Sequence, residues 1–380
     1  MPKMKSTYLS ALFLIYAYTA CGQEMQAEEH EEEVIKLGLQ FVYDEAFLNR
    51  SLFILKGSYD AYFSALTRAA EEFFKLHDDP KIKLTLVGSS KLQEEDIVTN
   101  TTTTDHKLNA SETLDNLRTL LTWNDTLNPS VDVVFLVTGM ELVITESRMT
   151  GECHGLAYPR SICFGNATVG IIHDDGATFN GVRLAALQIA FLLGAKKDNG
   201  KWGECPKNEE QYLTSNCSGG HIPRLSDCSK SSVRDFYYRA KDGGYTLCWN
   251  DTPEPALPNN TDFPVDFYRQ FDCDQCHVAE HLKNNTGKPI NCSMSTINRD
   301  INNWPSTTES SWHRAARKRY RQWYWKRTTT VSPYKRCTQS CCRFLRHGPD
   351  RGGWWDCWYT PAADGTVCDS TRVCLDKACG

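Results

Sequence analysis

Residues 187–198 read LQIAFLLGAKKD, and the apolar character extends back to Arg183. Apolar side chains fill almost every position from Arg183 to Leu193, which predicts a helix that is buried on most of its surface. Gly194 follows, and glycine readily adopts the left-handed conformation that ends many helices. Such a helix needs a large core around it, which a chain of 380 residues can supply.

The segments on the N-terminal side of this helix alternate between strand and helix patterns. Strands are predicted at 35–43, 81–87, 131–137 and 169–172, and helices at 59–76, 111–123 and 183–193. A Thr/Asn-rich stretch at 99–109 is predicted to be a loop. This alternation is typical of an α/β domain with a mixed twisted sheet and long helices, and we place the domain at 34–250.

The N-terminus indicates secretion. Lys3 and Lys5 precede an apolar stretch at 8–20, and small residues follow, which predicts a cleaved signal peptide at 1–22. An acidic leader follows at 23–33. No other apolar run is long enough to span a bilayer, so we expect no transmembrane segment. The chain has 17 cysteines, and cleavage leaves 16, an even number that suits disulfide pairing in an oxidising compartment.

The composition changes after residue 250. A proline-rich stretch predicts a linker at 251–272, followed by a cysteine-rich module at 273–380 that we expect to be mostly irregular and held by disulfides. Ten cysteines lie in this module: Cys273, Cys276, Cys292, Cys337, Cys341, Cys342, Cys357, Cys368, Cys374 and Cys379.

Ten Asn-x-Ser/Thr sequons accompany the secretory signal, and several are expected to carry glycans. They are Asn49, Asn100, Asn109, Asn124, Asn166, Asn216, Asn250, Asn259, Asn284 and Asn291.

A basic and aromatic insertion at 305–336 interrupts the module. Residues 305–350 carry a net charge of +9, although the whole chain carries −5. Basic side chains interleaved with tryptophan can bind a glycosaminoglycan, an anionic lipid or an acidic protein, and nucleic acid is not expected outside the cell. The alternative is a solvated loop or a protease-processing site. The candidate binding residues are Arg314, Arg317, Lys318, Arg319, Arg321, Trp323 and Trp325.

The helix at 183–193 matches the frame of the metzincin protease motif H-E-x-x-H-x-x-G-x-x-H, but not its chemistry. Leu187 and Phe191 occupy the first two metal-ligand positions and have no lone pair to donate. Lys197 occupies the third position and would bring a positive charge towards a metal. Gln188 replaces the glutamate that acts as general base. Without the flanking segments, an ordinary core helix would explain this pattern equally well.

The flanking segments favour the protease frame. They include Val131-Asp-Val-Val-Phe-Leu-Val, Gly155-Leu-Ala-Tyr-Pro, Val169-Gly-Ile-Ile-His-Asp-Asp and Leu225-Ser-Asp-Cys-Ser. Over residues 34–248 the chain resembles the reprolysins, the ADAM-type metzincins, and in particular those secreted in tick saliva. Pro223 stands near the place of the family's Met-turn, where no methionine is present.

The tail resembles the disintegrin-like and cysteine-rich region of thrombospondin-motif ADAMs, chiefly through Pro361-Ala-Ala-Asp-Gly-Thr-Val-Cys368. In that family this region holds protein partners. Active members also carry a pro-segment that keeps the zinc site latent, whereas here only the acidic leader separates the signal from the first strand.

The resemblance therefore implies a secreted, catalytically inactive metalloprotease homologue, a pseudoenzyme without a zinc cofactor. It would act as a monomer by binding extracellular host proteins, matrix or glycosaminoglycan. As a best guess from the resemblance, Cys163 pairs with Cys228, and Cys205 with Cys217 is a plausible local pair.

An enzyme remains the alternative. His277-Val-Ala-Glu-His281 matches the short inverzincin pattern H-x-x-E-H, so a reprolysin-type metalloendopeptidase with a rebuilt zinc site would use His277 and His281. An exposed histidine pair in a disulfide-held loop explains the same residues.

Overall fold

A computed structural model describes about half of the chain in detail. The described residues are 32–51, 59–93, 97–98, 107–123, 128–144, 155–163, 168–207, 212–215, 223–244, 247–270, 338–346, 353–361, 364, 374–375 and 378–379. In this part of the chain, no helix is both long and apolar enough to cross a membrane.

The helices and strands follow the predicted order, with ends that differ by a few residues. The strands are β1 (Val34–Tyr43), β2 (Lys81–Lys91), β3 (Lys107–Asn109), β4 (Val133–Thr138), β5 (Glu141–Val143), β6 (Gly155–Ala157), β7 (Val169–His173), β8 (Thr338–Arg346), β9 (Gly353–Pro361), β10 (Cys374–Leu375) and β11 (Ala378–Cys379). The helices are α1 (Glu45–Arg50), α2 (Tyr59–Glu72), α3 (Ala110–Trp123), α4 (Gly181–Leu192), α5 (Asp227–Asp242) and α6 (Pro264–Gln270), with a 3-10 turn at Cys248–Asn250.

The central sheet has five strands in the order β2-β1-β4-β7-β6. The first four run parallel, and β6 joins β7 antiparallel at the edge. This is the mixed sheet of an α/β fold, as predicted. The strand β3 lies within the predicted 99–109 loop and pairs with β5, so the end of that stretch is not a loop.

Each face of the sheet is covered by helices, because the strand residues alternate between two hydrophobic cores. Along β4, Val133, Phe135 and Val137 face the larger core, and Val134 and Leu136 face the smaller one. Helices α2 and α4 contribute to the larger core, and α3 covers the other face. The buried helix predicted at 183–193 therefore lies where its apolar surface is fully covered.

Part of the predicted linker belongs to this core. Phe267 and Tyr268 of α6 are buried, and the Phe267 ring lies 5.5 Å from the Tyr62 ring and 5.4 Å from the Phe179 ring. The proline content suggested an extended connection, but these aromatic side chains bury too much apolar surface to remain in solvent.

The tail is less irregular than predicted in its described residues. Strands β8 and β9 pair antiparallel over nine residues each, and β10 pairs with β11. The sequence pattern did not indicate this because clustered cysteines, glycines and charged residues obscure a period-two alternation.

A buried carboxyl group joins two strands at one end of the sheet. Asp132 accepts a hydrogen bond from the backbone N–H of Gly38 at 2.7 Å, and its own N–H donates to the Gly38 carbonyl at 2.8 Å. Burial raises the pKa of Asp132 to about 7, and the nearby charge of Asp251 acts in the same direction. The carboxyl therefore keeps its proton in the folded protein at pH values where an unfolded chain has lost it.

This raised pKa predicts that stability falls as the pH rises. The folded state binds more protons than the unfolded state between about pH 4 and pH 7, so ionisation of Asp132 costs stability across that window. We expect Asp132→Asn, which stays neutral and keeps an acceptor for Gly38, to flatten the decline by up to about 3 kcal/mol. Urea unfolding at pH 4.5 and pH 8 measures this effect.

Asp242→Asn, at the exposed end of α5, is the matched control, because it makes the same exchange of a carboxyl for an amide at a solvent-exposed position. Equal profiles for Asp132→Asn and wild type would contradict the assignment.

Candidate functional site

Helix α4 carries Leu187, Gln188 and Phe191, three of the four residues compared above with the metzincin motif, and Lys197 follows the helix. At the N-terminus of this helix, the buried side chain of Asp174 accepts a hydrogen bond from the N–H of Gly181, the first helical residue, at 2.7 Å. Gly194 ends it with a φ of +88°, and its N–H donates to the Phe191 carbonyl at 2.9 Å. The predicted glycine cap is confirmed, and all twelve helical residues are buried.

The first two ligand positions are part of the hydrophobic core. Leu187 and Phe191 are each 1% exposed and pack with the larger core cluster. Neither has an electron pair for a metal, and neither is accessible to a substrate. Zinc therefore does not fit these positions.

Gln188, at the general-base position, is fully buried. Neither its side-chain oxygen nor its side-chain nitrogen has a hydrogen-bond partner in the described structure. The amide lies against Gly155 of the edge strand β6, where an added Cβ would approach the Gln188 nitrogen to 2.7 Å. A buried amide without partners costs free energy, because it has lost its bonds to water.

We expect Gln188→Met to stabilise the protein by about 1–2 kcal/mol, since it removes two unpaired polar atoms at nearly constant volume. Chemical denaturation at pH 7 measures the free energy of unfolding. Gln188→Glu is the matched comparison and should destabilise the fold, because it places a carboxylate in the same apolar setting. A methionine variant that is less stable than wild type would indicate that the amide has a partner in solution.

Lys197, compared above with the third ligand of the motif, lies over the ring of Phe191, compared with the second. The Lys197 ammonium lies 5.7 Å from the centre of the Phe191 ring, within the range of a cation–π contact. The backbone N–H of Lys197 donates to the Glu204 carboxylate at 2.7 Å, and its carbonyl accepts from the N–H of Cys205 at 2.9 Å. The side chains at the second and third positions thus contact each other.

Asp198 ties the chain after α4 to the start of α5. Its carboxylate accepts from the hydroxyls of Thr214 at 2.6 Å and Ser226 at 2.7 Å. Ser226 is also the N-cap of α5 and accepts from the N–H of Ser229 at 3.1 Å. Burial raises the pKa of Asp198, and the two hydroxyl donors oppose that rise.

Two disulfides brace this region, and both differ from the predicted pairs. Cys163 bonds Cys248 with a Cα separation of 5.3 Å, and Cys205 bonds Cys228 with a separation of 5.8 Å. The predicted Cys163–Cys228 pair is wrong, and so is Cys205–Cys217, because the sulfurs of Cys163, Cys205 and Cys228 are bonded to other partners. Pairing requires Cα atoms within about 7 Å, and neither the family resemblance nor closeness along the chain supplies that distance.

The geometry explains the observed Cys205–Cys228 pair. Cys228 lies in the first turn of α5, which contacts the loop after α4: the Ser229 hydroxyl donates to the Lys196 carbonyl at 2.8 Å. The same loop holds Cys205, so the two sulfurs meet.

The other predicted site residues fall mostly outside the described residues. These are His277, His281, Arg314, Arg317, Lys318, Arg319, Arg321, Trp323 and Trp325, together with Asn100, Asn124, Asn166, Asn216, Asn284 and Asn291. Within the described ranges, no group of three or more His, Cys, Asp or Glu side chains could hold a metal ion.

Four sequon asparagines are described. Asn49, Asn250 and Asn259 are exposed, and their side chains are accessible for glycan attachment. Asn109 instead caps α3: its side-chain oxygen accepts from the N–H of Glu112 at 3.4 Å, and its side-chain nitrogen donates to the Glu112 carboxylate at 3.1 Å. A glycan on that nitrogen would compete with the second bond.

Sequence reasoning missed a network of buried polar groups at the start of α4. The Tyr62 hydroxyl donates to Asp174 at 2.7 Å and accepts from the N–H of Phe179 at 3.2 Å. The sequence pattern places Tyr62 on the apolar face of the predicted 59–76 helix and indicates no polar role for it. Its polar role depends on residues more than 100 positions away, which no local signal could indicate.

Comparisons with known proteins give distant similarities only. No protein-family model and no curated protein sequence matches the chain. Among solved structures, archaemetzincin (AmzA) from Methanopyrus kandleri is similar at 12% identity and a TM-score of 0.33, over 54% of this chain and 97% of that one. A chaperone–substrate complex is similar at 13% identity and a TM-score of 0.35, over 55% of this chain. The match spans about a third (35%) of the latter chain.

Proposed function

We propose that the protein is a secreted, catalytically inactive metalloprotease homologue that acts by binding an extracellular protein or a glycosaminoglycan. The observation that carries the proposal is the state of helix α4. At the positions where a metzincin holds zinc, Leu187 and Phe191 are core residues, and Lys197 lies over the Phe191 ring. A metal ion would have to displace packed apolar side chains and a positive charge.

The base position supports the same proposal. A general base must carry a group that accepts a proton near neutral pH, and an amide does not. Gln188 is also fully buried, so it has no access to a water molecule that a substrate would share. Binding is then the activity that the fold can still supply.

The two disulfides in the described domain are compatible with the secretion that the N-terminal signal predicts, because such bonds persist in oxidising compartments. Host extracellular proteins or matrix, and ticks as the source, enter this proposal through the family resemblance alone.

Zinc analysis of the purified protein tests the loss of catalysis. We expect well under one equivalent of zinc per chain after gel filtration, and no cleavage of a broad peptide library with or without added zinc. The matched variant is His277→Ala. One tightly bound zinc in the wild type that is lost in this variant, together with chelator-sensitive peptide cleavage, would establish the rebuilt-site enzyme instead.

A heparin column tests the binding role of the basic segment. Changing Arg317, Lys318, Arg319 and Arg321 to alanine should lower the salt concentration at which the protein elutes. If the variant elutes at the same salt concentration as the wild type, the basic segment does not bind the glycosaminoglycan.

A further inference from the structure

A basic surface lies beside helix α5. It is a half-open groove of about 580 Å³ between α5, the turn after β6 and the loop after α4. Helical spacing places one face of α5 along it. The residues that line it include Arg160, Lys196, Ser231, Asp235, Phe236 and Arg239.

The groove has a net positive charge that ion pairs among the described residues do not neutralise. Three cations line it, Arg160, Lys196 and Arg239, against the single carboxylate of Asp235. None of these four side chains forms an ion pair within the described part of the chain, whereas Arg68 bonds Glu71 at 2.9 Å. Cations gathered in a concave surface without neutralising partners produce a local positive potential that attracts anions.

The backbone that carries these cations is well anchored. The N–H of Arg160 donates to the Phe191 carbonyl at 2.9 Å, and the N–H of Lys196 donates to the Ser232 hydroxyl at 3.2 Å. Arg239 projects from the last turns of α5. The long side chains therefore extend from fixed points on three separate segments, which reduces the entropy lost when a ligand binds.

Gly194 lets two of these lining groups, Arg160 and Phe236, approach each other closely. A Cβ added there would lie 3.0 Å from the Phe236 Cβ and 3.4 Å from the Arg160 Cγ. The aliphatic part of Arg160 and the Phe236 ring thus lie against the same glycine. This provides an apolar surface directly beside a guanidinium.

We propose that this groove binds sulfate groups of a glycosaminoglycan, a role that rests on the proposed extracellular binding function. Guanidinium groups match the geometry of oxyanions with paired hydrogen bonds, and a lysine adds a compact charge. Phe236 supplies a surface for the apolar face of a sugar ring. The volume falls within the roughly 300–1,000 Å³ that is typical of small-ligand sites. Sulfated glycans occur outside cells, where the proposed secretion would place the chain.

The test uses the full-length protein and a heparin tetrasaccharide, with the Kd measured by calorimetry at fixed ionic strength. Changing Arg160, Lys196 and Arg239 together to alanine should weaken binding by about 10- to 100-fold, because the variant loses the positive charge that attracts the polyanion; this corresponds to about 1.4–2.8 kcal/mol of binding free energy. The matched control changes Lys75, Lys83 and Lys107 to alanine. It removes the same charge from exposed lysines elsewhere, and its Kd should change by less than about threefold.

Two further measurements separate the outcomes. Fully desulfated tetrasaccharide, which keeps its carboxylates, should bind no better to the wild type than to the groove variant. The variant with alanine at Arg317, Lys318, Arg319 and Arg321 should retain tetrasaccharide binding if the groove is the site. Equal affinities for the groove variant and the lysine control, or no binding by the wild type, would overturn the groove proposal. Neither result bears on the zinc analysis, which tests the proposed function separately.

Discussion

Replacing both Cys163 and Cys248 with alanine is expected to lower the free energy of unfolding by about 4–5 kcal/mol. The bond joins residues separated by 85 positions, and closing so long a loop removes much conformational freedom from the unfolded chain. It also holds the 3-10 turn in which Trp249 is buried, 5.7 Å from the Tyr237 ring of α5. Guanidinium denaturation of the variant and the wild type measures the difference.

The second disulfide is the matched control. Cys205 and Cys228 are separated by 23 positions, so the corresponding double alanine variant should lose about 3.4 kcal/mol, a smaller amount. Peptide mapping of the non-reduced protein gives an independent check, because each observed pair yields a different linked peptide. Recovery of a Cys163–Cys228 peptide would contradict the structure and restore the pairing that the family resemblance suggested.

Asp174→Ala is expected to cost about 3–5 kcal/mol, the second large effect. One carboxyl oxygen accepts from the Tyr62 hydroxyl and the N–H of Gly176, and the other accepts from the N–H of Gly181, all at 2.7 Å. Asp174 and Tyr62 are both fully buried, so alanine would leave three donors without water or a partner. The loop between β7 and α4 would lose the carboxyl group that bonds the N–H groups of Gly176 and Gly181.

The matched variants of this network separate the individual bonds. Asp174→Asn keeps one oxygen but presents an N–H group to Gly181, so its cost should be smaller, about 1–3 kcal/mol. Tyr62→Phe removes one donor to Asp174 and leaves the Phe179 N–H without its acceptor, at a similar cost. A neutral effect of Asp174→Ala on the free energy of unfolding would show that the network does not form.

The cost of Asp174→Ala should also depend on pH. Burial raises the pKa of Asp174 to about 7, and the adjacent Asp175 charge adds to the rise. The wild type therefore loses stability from this group as the pH rises from about 4 to 7, while the alanine variant does not. The difference between the two proteins should be larger at pH 5 than at pH 8, as thermal unfolding at the two values can measure.

Local patterns in the sequence were enough to place most elements of the domain. The alternation in β2, the continuous apolar run of β4 and the glycine after α4 each depend on neighbours one to four positions away, which a sequence displays directly. The same holds for the identities of Leu187, Gln188, Phe191 and Lys197, the residues compared with the metzincin zinc motif. Leucine, glutamine, phenylalanine and lysine cannot assemble that chemistry in any fold.

The predicted disulfide pairs failed because pairing depends on contacts between segments that are separated along the chain. The sequence determined which residues form the buried helix, and that Leu187, Gln188, Phe191 and Lys197 match none of the ligand or base residues of the metzincin motif. Only the tertiary structure decided that Cys163 meets Cys248, that Tyr62 donates to an aspartate 112 positions away, and that Arg160, Lys196 and Arg239 converge on one groove. Such contacts arise because burial of the two cores brings distant segments together, and cysteine order or local charge carries no record of that packing.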